Sequence, residues 1–260
     1  MPALVVLGGG RMGEALVAGL LDAKWAAPAD ILVVEKAPAR VEELAAAHPD
    51  WRVAPQPEPA DGAVIAVKPG DVESACRAVE AERVLSIAAG VPLAKLEAWL
   101  PPGTPVVRAM PNTPALVGAG ASAIAPGTSA GDADLAWAEE VLGAVGQVVR
   151  LPEHLLDAVT GLSGSGPAYV FLVAEALIEA GVLAGLPRDV SQTLAVQTLL
   201  GSARLLAESG DSAETLRAAV TSPGGTTAAG LRALEERGVR AAFLEAVMAA
   251  TERSRQLGRA

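Results

Sequence analysis

A glycine-rich turn near the N-terminus constrains the possible folds of this chain more than any other feature. The segment LVVLGGGRMG at residues 4–13 matches G-x-G-x-x-G at Gly8, Gly10 and Gly13, directly after a predicted strand and at the start of a predicted helix. In this motif the three glycines permit a tight turn, close approach to a pyrophosphate and close packing of helix on strand. We therefore predict a dinucleotide site that includes Arg11 and Met12; the alternative is a glycine-rich turn without a ligand.

The first half of the chain alternates short apolar runs with helical patterns. Such alternation is typical of βαβ units, which build a mainly parallel sheet. Predicted strands cover residues 4–7, 31–34, 63–67, 84–88, 106–110, 121–125 and 147–151, and predicted helices include 12–23, 39–47 and 132–142. Residues 1–152 are therefore expected to form an α/β, Rossmann-like NAD(P)-binding domain.

The pattern changes after Pro152, where only helical periodicity remains. Predicted helices cover residues 153–160, 167–184, 188–207, 213–220, 226–236 and 239–256. Residues 153–260 are therefore expected to form an all-α domain. The predicted fold class is α/β followed by all-α.

Composition and charge argue against several classes of partner. With 51% hydrophobic residues, a formal charge of −10 and a pI of about 4.8, we expect a soluble globular protein whose main partner is neither nucleic acid nor an anionic membrane. The longest apolar stretch, residues 169–186, contains Glu175 and Glu179, which favours a helix buried between subunits over a membrane span. A single cysteine, Cys76, and the lack of metal-ligand spacing predict a cytoplasmic protein without a metal site.

An acidic residue follows the second predicted strand. Glu35 lies 22 residues beyond Gly13, where a carboxylate accepts hydrogen bonds from the adenosine ribose hydroxyls of a dinucleotide. This position favours NADH over NADPH. The alternatives are that Lys36 and Arg40 hold a 2′-phosphate while Glu35 turns away, or that Glu35 is a solvated charge.

Further candidate residues follow three other predicted strands. Because ligands bind at the carboxyl ends of strands in such sheets, we expect these residues to share one edge. Lys68 is expected to touch the cofactor, the small residues would let a flat ring or a substrate lie close to the chain, and Asn112 would face the nicotinamide. The candidates are Val67, Lys68 and Pro69 after one strand, Ala88 for the cofactor and Ala89 for the substrate after the next, and Asn112 after the third.

A second candidate site is the segment TSPGGTT at residues 221–227. Ser222 and Pro223 fit a turn, two glycines let the backbone approach a ligand, and a helix is predicted to begin at Thr226. The exposed N–H groups of a helix start suit a carboxylate. The alternative is a helix–helix connection that uses good turn and capping residues.

Some catalytic groups are missing from the motifs. His48 and His154 lie outside every motif, so a histidine acid is not expected and both are predicted to be surface residues. The four lysines all lie in the first half of the chain, which disfavours a hydroxy-acid dehydrogenase with a lysine in its second domain. A related dehydrogenase and an NAD(P)-binding sensor without turnover are the alternatives; the sensor would have no use for residues 222–227.

Together these residues resemble the pyrroline-5-carboxylate reductases, the family of the last step of proline biosynthesis. The resemblance spans the whole chain. It is carried by the glycine-rich turn, residues 67–69 (VKP), 88–91 (AAGV), 108–114 (RAMPNTP) and 162–169 (LSGSGPAY), and most specifically by residues 221–227 with Gly230-Leu231 and Leu234-Glu235.

The resemblance implies NAD(P)H-dependent reduction of the imine of 1-pyrroline-5-carboxylate to L-proline. It also implies a helical domain that interlocks with that of a second subunit, dimers that commonly assemble into decamers, and an active site between the cofactor domain of one subunit and helices that include the partner's. Thr227 would hydrogen-bond the substrate ring nitrogen, while Ser222, Gly225 and Thr226 would hold its carboxylate. Glu35 stands where many NADPH-preferring relatives carry a small polar residue, which leaves the choice between NADH and NADPH open.

Overall fold

The computed structural model describes residues 1–259, which divide into two compact units. The first unit comprises residues 1–165 together with the C-terminal residues from 248 onward, and the second comprises residues 166–247. The domain boundary predicted after Pro152 stays a prediction.

The first unit is built on one eight-stranded sheet with the order β3-β2-β1-β4-β5-β6-β7-β8. All neighbouring strands are parallel except β6 and β7, which confirms the mainly parallel sheet. The strands are β1 (Leu4–Leu7), β2 (Ile31–Val34), β3 (Arg52–Ala54), β4 (Ala60–Ile65), β5 (Ala81–Ser86), β6 (Val106–Met110), β7 (Gly120–Pro126) and β8 (Gly146–Arg150).

Helices cover both faces of this sheet. Alternate residues of β1 enter two separate hydrophobic cores, Val5 and Leu7 on one face and Leu4 and Val6 on the other. A parallel strand buried on both faces reads as a continuous apolar run, which is why β1 and β2 were predicted with their observed bounds. The helices are α1 (Arg11–Asp22), α2 (Pro38–Ala47), α3 (Val72–Ala78), α4 (Leu93–Trp99), α5 (Asp132–Gly143) and α6 (Leu156–Val159).

Five strands differ from the prediction, β7 and β8 by only one residue at each end. β4 and β5 begin and end earlier than the predicted ranges 63–67 and 84–88, and β3 was not predicted. Gly62 lies inside β4, where a side chain would not fit because a Cβ would stand 2.5 Å from a ring carbon of Trp137. Aspartate and glycine are both uncommon in strands, so the pair Asp61-Gly62 did not predict one, and the predicted start of β4 was too late.

The second unit is helical, as predicted, and buries very few of its own residues. The helices are α7 (Gly166–Leu183), α8 (Arg188–Ser209), α9 (Ala213–Ala219), α10 (Thr226–Glu236) and α11 (Val239–Arg259), the last of which ends within the first unit. No residue of α7 is buried, and only Ser191 and Ala195 are buried in α8. Phe171 and Leu172 of α7 are 62% and 65% exposed.

One stretch, Glu153–Leu183, is long and apolar enough to cross a membrane by length and composition alone. None of its most apolar window is buried inside the chain. Extended exposed apolar surfaces are typical of sites that contact another molecule.

Candidate active site

A cleft of about 1000 Å³ lies at the carboxyl ends of β1, β2, β4, β5 and β6 in the first unit. This is the edge at which the predicted cofactor residues were expected to meet. All of them except Gly13 line the cleft, as does Ala89, the substrate candidate. The lining includes Gly8, Gly10, Arg11, Met12, Glu35, Val67, Lys68, Pro69, Ala88, Ala89 and Asn112.

Two of the motif glycines are required by the turn itself. Gly8 has a φ of +111°, and a Cβ at this position would lie 2.6 Å from the carbonyl oxygen of Ala66. A Cβ on Gly13 would lie 2.1 Å from the carbonyl oxygen of Gly8, so only glycine lets α1 pack this closely against the turn. Gly13 is buried and shapes the cleft without lining it.

Gly10 has a different role. It is the exposed N-cap of α1, it makes no side-chain capping bond, and a Cβ built on it meets nothing within 4 Å. The open space therefore faces the N-terminus of a 12-residue helix. Backbone N–H groups and the positive end of the helix dipole favour an anion there, so a dinucleotide pyrophosphate fits this cradle.

The middle residue of the turn, Gly9, was left unspecified by the sequence motif, yet its surroundings exclude a side chain. Gly9 is buried, and a Cβ on it would stand 2.5 Å from Leu44 Cδ1 and 3.3 Å from Glu35 Oε2. The turn is thus wedged between α2 and the end of β2.

The backbone orients the Glu35 carboxylate at the rim of the cleft. Gly9 N donates to Glu35 Oε2 at 3.1 Å, and Ala37 N donates to Oε1 at 2.9 Å. Each carboxylate oxygen can accept a further hydrogen bond, so the group remains able to bind ribose hydroxyls. Glu35 has not turned out of the cleft, which was the condition for the alternative based on Lys36 and Arg40.

Arg40 is engaged away from the cleft, which it does not line. Its Nε donates to Gly9 O at 2.8 Å, and its terminal nitrogens donate to Glu14 Oε2 at 2.5 Å and Glu43 Oε2 at 3.1 Å. These hydrogen bonds, to Glu43 and to Glu14, raise the pKa of Arg40. Lys36 does line the cleft and makes no ion pair within residues 1–259.

His48, predicted to be a surface residue, is partly exposed, and it also contacts Glu14 and Trp51. The His48 side chain is 27% exposed, its Nε2 lies 2.9 Å from Glu14 Oε1, and its ring stacks on Trp51 with centroids 3.8 Å apart. The hydrogen bond with His48, followed by that with Arg40, lowers the pKa of Glu14 against the opposing effect of burial. Glu14 and His48 are 34 positions apart, so no local pattern could indicate this contact.

Asn112 supports the wall of the cleft. Its Nδ2 donates to Ser163 O at 3.0 Å, and its Oδ1 accepts from Ala121 N at 2.8 Å. Ser163 belongs to a π-helical turn, Thr160–Gly164, whose last residue also lines the cleft. Asn112 therefore ties this turn to β7, and one amide N–H remains to meet a ligand.

Several lining residues were missed by the sequence reasoning. Gln56 and Pro57 follow β3, and Ser74 and Ala75 lie on α3. The rule that ligands meet the carboxyl ends of strands would have found Gln56 if the three-residue strand β3 had been recognised.

The segment of residues 221–227 forms a turn and a helix start in the second unit. Gly225 N donates to Ser222 O at 3.0 Å, and Gly224 has a φ of +70°. A Cβ on Gly225 would stand 2.3 Å from Ser222 Oγ. Gly225 is the N-cap of the 11-residue helix α10 and makes no side-chain capping bond, so the helix start is open to an anion.

Two threonines begin this helix. Thr226 is exposed and Thr227 is half-buried. The Thr227 hydroxyl makes no hydrogen bond within residues 1–258, in contrast to Thr221, whose hydroxyl donates to Arg217 O at 2.6 Å. The Thr227 hydroxyl is thus available to a ligand. No group of three or more potential ligand side chains that could hold a metal ion occurs in the described part of the chain.

The fold and the cleft define an oxidoreductase that uses a nicotinamide dinucleotide. The model of the family described as NADP oxidoreductase, coenzyme F420-dependent, matches residues 3–90, and that described as pyrroline-5-carboxylate reductase dimerisation matches residues 153–257. A pyrroline-5-carboxylate reductase from Synechocystis is 47% identical, covering 98% of this chain and 98% of its own length. The chain belongs to the pyrroline-5-carboxylate reductase family.

Other relatives support the same family assignment. The pyrroline-5-carboxylate reductase of Mycobacterium tuberculosis is 46% identical and covers 99% of this chain and 97% of its own length. A solved pyrroline-5-carboxylate reductase from Coxiella burnetii superposes with a TM-score of 0.90 at 33% identity, covering 98% of each chain. That of Plasmodium falciparum, solved with NADP bound, gives 0.85 at 29% identity, covering 99% of this chain and 98% of its own.

Proposed function

We propose that this protein reduces 1-pyrroline-5-carboxylate to L-proline with NAD(P)H. The observation that carries the proposal is the open start of α10, where the Thr227 hydroxyl, which has no hydrogen-bond partner in the described part of the chain, stands at a helix N-terminus in a chain that also builds a dinucleotide cleft. A cyclic imino acid offers the two matching groups, a ring nitrogen and a carboxylate.

The residues have separate tasks in this reaction. A bound reduced nicotinamide would supply the hydride for the imine carbon, and the ring nitrogen would take its proton from solvent. The turn formed by Ser222, Gly225 and Thr226 holds the carboxylate, and Thr227 orients the nitrogen through its hydroxyl. Ala89 lines the dinucleotide cleft, and its small side chain leaves room for a ring beside the backbone there. A cyclic imine is basic enough to need no histidine or lysine acid.

The direct test is a spectrophotometric assay with purified protein and each reduced nicotinamide cofactor. We expect oxidation of NADH or NADPH that depends on added 1-pyrroline-5-carboxylate, with stoichiometric formation of proline. Tight cofactor binding without turnover would instead support a sensor, and turnover of a 2-hydroxy or 2-oxo acid alone would support a related dehydrogenase.

NADH is the proposed preferred cofactor. The Glu35 carboxylate, held by Gly9 N and Ala37 N at the rim of the cleft, would accept bonds from the ribose hydroxyls and would repel a 2′-phosphate. Lys36 and Lys68 line the same cleft and contribute positive charge for the pyrophosphate of either cofactor.

Replacement of this carboxylate should shift the cofactor preference. We expect Glu35→Ser to move the ratio of kcat/KM values toward NADPH by roughly tenfold or more, about 1.4 kcal/mol, because the repulsion of the 2′-phosphate is lost. The control is Glu73→Ser, which removes one exposed carboxylate from α3 without altering the lining of the cleft. An unchanged ratio for Glu35→Ser would show that another residue selects the cofactor.

The functional assembly is proposed to be a homodimer formed through the helical unit, and dimers are proposed to assemble into a decamer. An entirely apolar groove of about 280 Å³ runs along the exposed surface of α7 and α11. It is lined by Tyr169, Leu172, Val173, Ala176, Val239, Ala242, Phe243 and Ala246. Two observations favour a second copy of the chain over a lipid bilayer as the partner of this surface. The helix α7 carries Glu175 and Glu179, and residues 153–257 match the family described as pyrroline-5-carboxylate reductase dimerisation.

A further inference from the structure

Arg40 and Glu35 contact opposite ends of the same glycine. Glu35 accepts a hydrogen bond from Gly9 N at 3.1 Å, and Arg40 Nε donates to Gly9 O at 2.8 Å. The Arg40 guanidinium and the Glu35 carboxylate, which is proposed to select the cofactor, therefore contact the same residue, Gly9. Among protein side chains the guanidinium fork is especially well suited to bind a phosphate, because it can donate two parallel hydrogen bonds.

Two carboxylates keep this guanidinium away from the cleft, and they differ in how firmly they do so. Arg40 contacts Glu14 Oε2 at 2.5 Å and Glu43 Oε2 at 3.1 Å. The Glu43 side chain is 64% exposed, so its pair with Arg40 is screened by solvent. The Glu14 side chain is only 30% exposed, so its pair with Arg40 is less screened by solvent.

Glu14 is itself fixed from the other side. Its second oxygen lies 2.9 Å from His48 Nε2, and the His48 ring stacks on Trp51 with an interplanar angle of 9°. The carboxylate is thus clamped between an imidazole and a guanidinium. Hydrogen bonds from both partners keep it ionised, as its lowered pKa indicates.

We propose that Glu14 is a positioning residue for cofactor selection, because it holds Arg40 against the outside of the glycine turn and so denies this guanidinium to a 2′-phosphate. The inference rests on the proposed preference for NADH and extends it. Glu35 repels the phosphate directly, while Glu14 withholds the cation that would otherwise bind it. Glu14 does not line the cleft, so its effect acts through Arg40.

The test is Glu14→Ala, studied by fluorescence titration with NADPH and NADH as well as by steady-state kinetics. We expect the dissociation constant and the KM for NADPH to fall by roughly tenfold, which corresponds to one new charge-assisted contact. The values for NADH should change by less than about twofold, and kcat with the preferred cofactor should stay within the same range. A residue that merely stabilised the fold would weaken the binding of both cofactors together.

Two further variants assign the effect to Arg40. Glu42→Ala also removes one negative charge, but Glu42 lies on α2, is exposed and makes no ion pair within residues 1–258, so NADPH binding should not improve. Glu14→Ala combined with Arg40→Met should lose the gain in NADPH affinity. If Glu14→Ala does not fold, Glu14→Gln keeps the shape and should give a smaller gain in the same direction.

The inference is overturned if folded Glu14→Ala, or Glu14→Gln in its place, binds NADPH no more tightly than the unchanged protein. It is also overturned if the gain persists without Arg40, since the effect would then be one of net charge alone. Cofactor titration needs no turnover, so a failure of the proposed reaction would be seen separately, as absence of proline formation by the unchanged protein.

Discussion

Thr227→Val is expected to lower kcat for 1-pyrroline-5-carboxylate by roughly ten- to a thousandfold, in line with the loss of one preorganised hydrogen-bond donor. Valine keeps the shape of threonine and deletes the hydroxyl, so the ring nitrogen loses the group that orients it. The carboxylate would still bind at the start of α10. NADH affinity should be nearly unchanged, because the dinucleotide cleft is lined by residues of the first unit.

The matched control is Thr193→Val, which makes the same change at an exposed threonine of α8 whose hydroxyl donates to Asp189 O. This variant should retain kcat within about twofold of the unchanged protein, since the hydroxyl only folds back on its own helix. Full turnover by Thr227→Val would remove the proposed role. Loss of both activity and assembly would indicate that Thr227 caps or packs its helix.

Leu172→Glu should dissociate the proposed homodimer. Leu172 lies in the apolar groove of α7 and α11 and is 65% exposed in the single chain. A carboxylate buried at this position in a dimer would have no partner, so we expect the dimer dissociation constant to rise by roughly a hundredfold or more. Sedimentation velocity over a range of protein concentrations measures this change.

Proline formation should fall with dissociation, while NADH binding to the cleft of the first unit should persist. Val149→Glu is the control, because it places the same charge on an exposed apolar residue of β8, outside the helical unit. That variant should remain associated. A Leu172→Glu protein that stayed fully dimeric would place the interface on another surface.

The parts of the fold that were predicted well are those dictated by local pattern. β1, β2 and β6 have the bounds expected from their apolar runs, and α10 begins and ends where the sequence placed it. β3 was missed because it has only three residues, all partly exposed, at the edge of the sheet. Such a strand is specified by its neighbour β2 and not by its own side chains.

The candidate site likewise contains residues that the sequence pattern predicted and contacts that it could not predict. Many of the residues that line the cleft follow strand ends, and the rule that ligands meet the carboxyl ends of parallel strands led to Lys68 and Ala88, which line it. The contacts of Arg40 with Gly9 and Glu14 join positions 31 and 26 residues apart. Charge patterning within α2 could suggest only the pair with Glu43, because the other two partners lie in the glycine turn and on α1, far from α2 in the sequence.

The missing side chain at Gly9 has a consequence for anyone who wishes to redesign the cofactor preference. A Cβ at this position would be too close to both Leu44 and Glu35. The side chains that fit at positions 9, 35 and 44 therefore depend on one another. Engineering of residue 35 alone leaves a gap or a clash beside the glycine, and the turn that cradles the pyrophosphate must adjust to it. Variant libraries for this chain should therefore randomise these three positions jointly, with Arg40 included, and be screened as combinations instead of single substitutions.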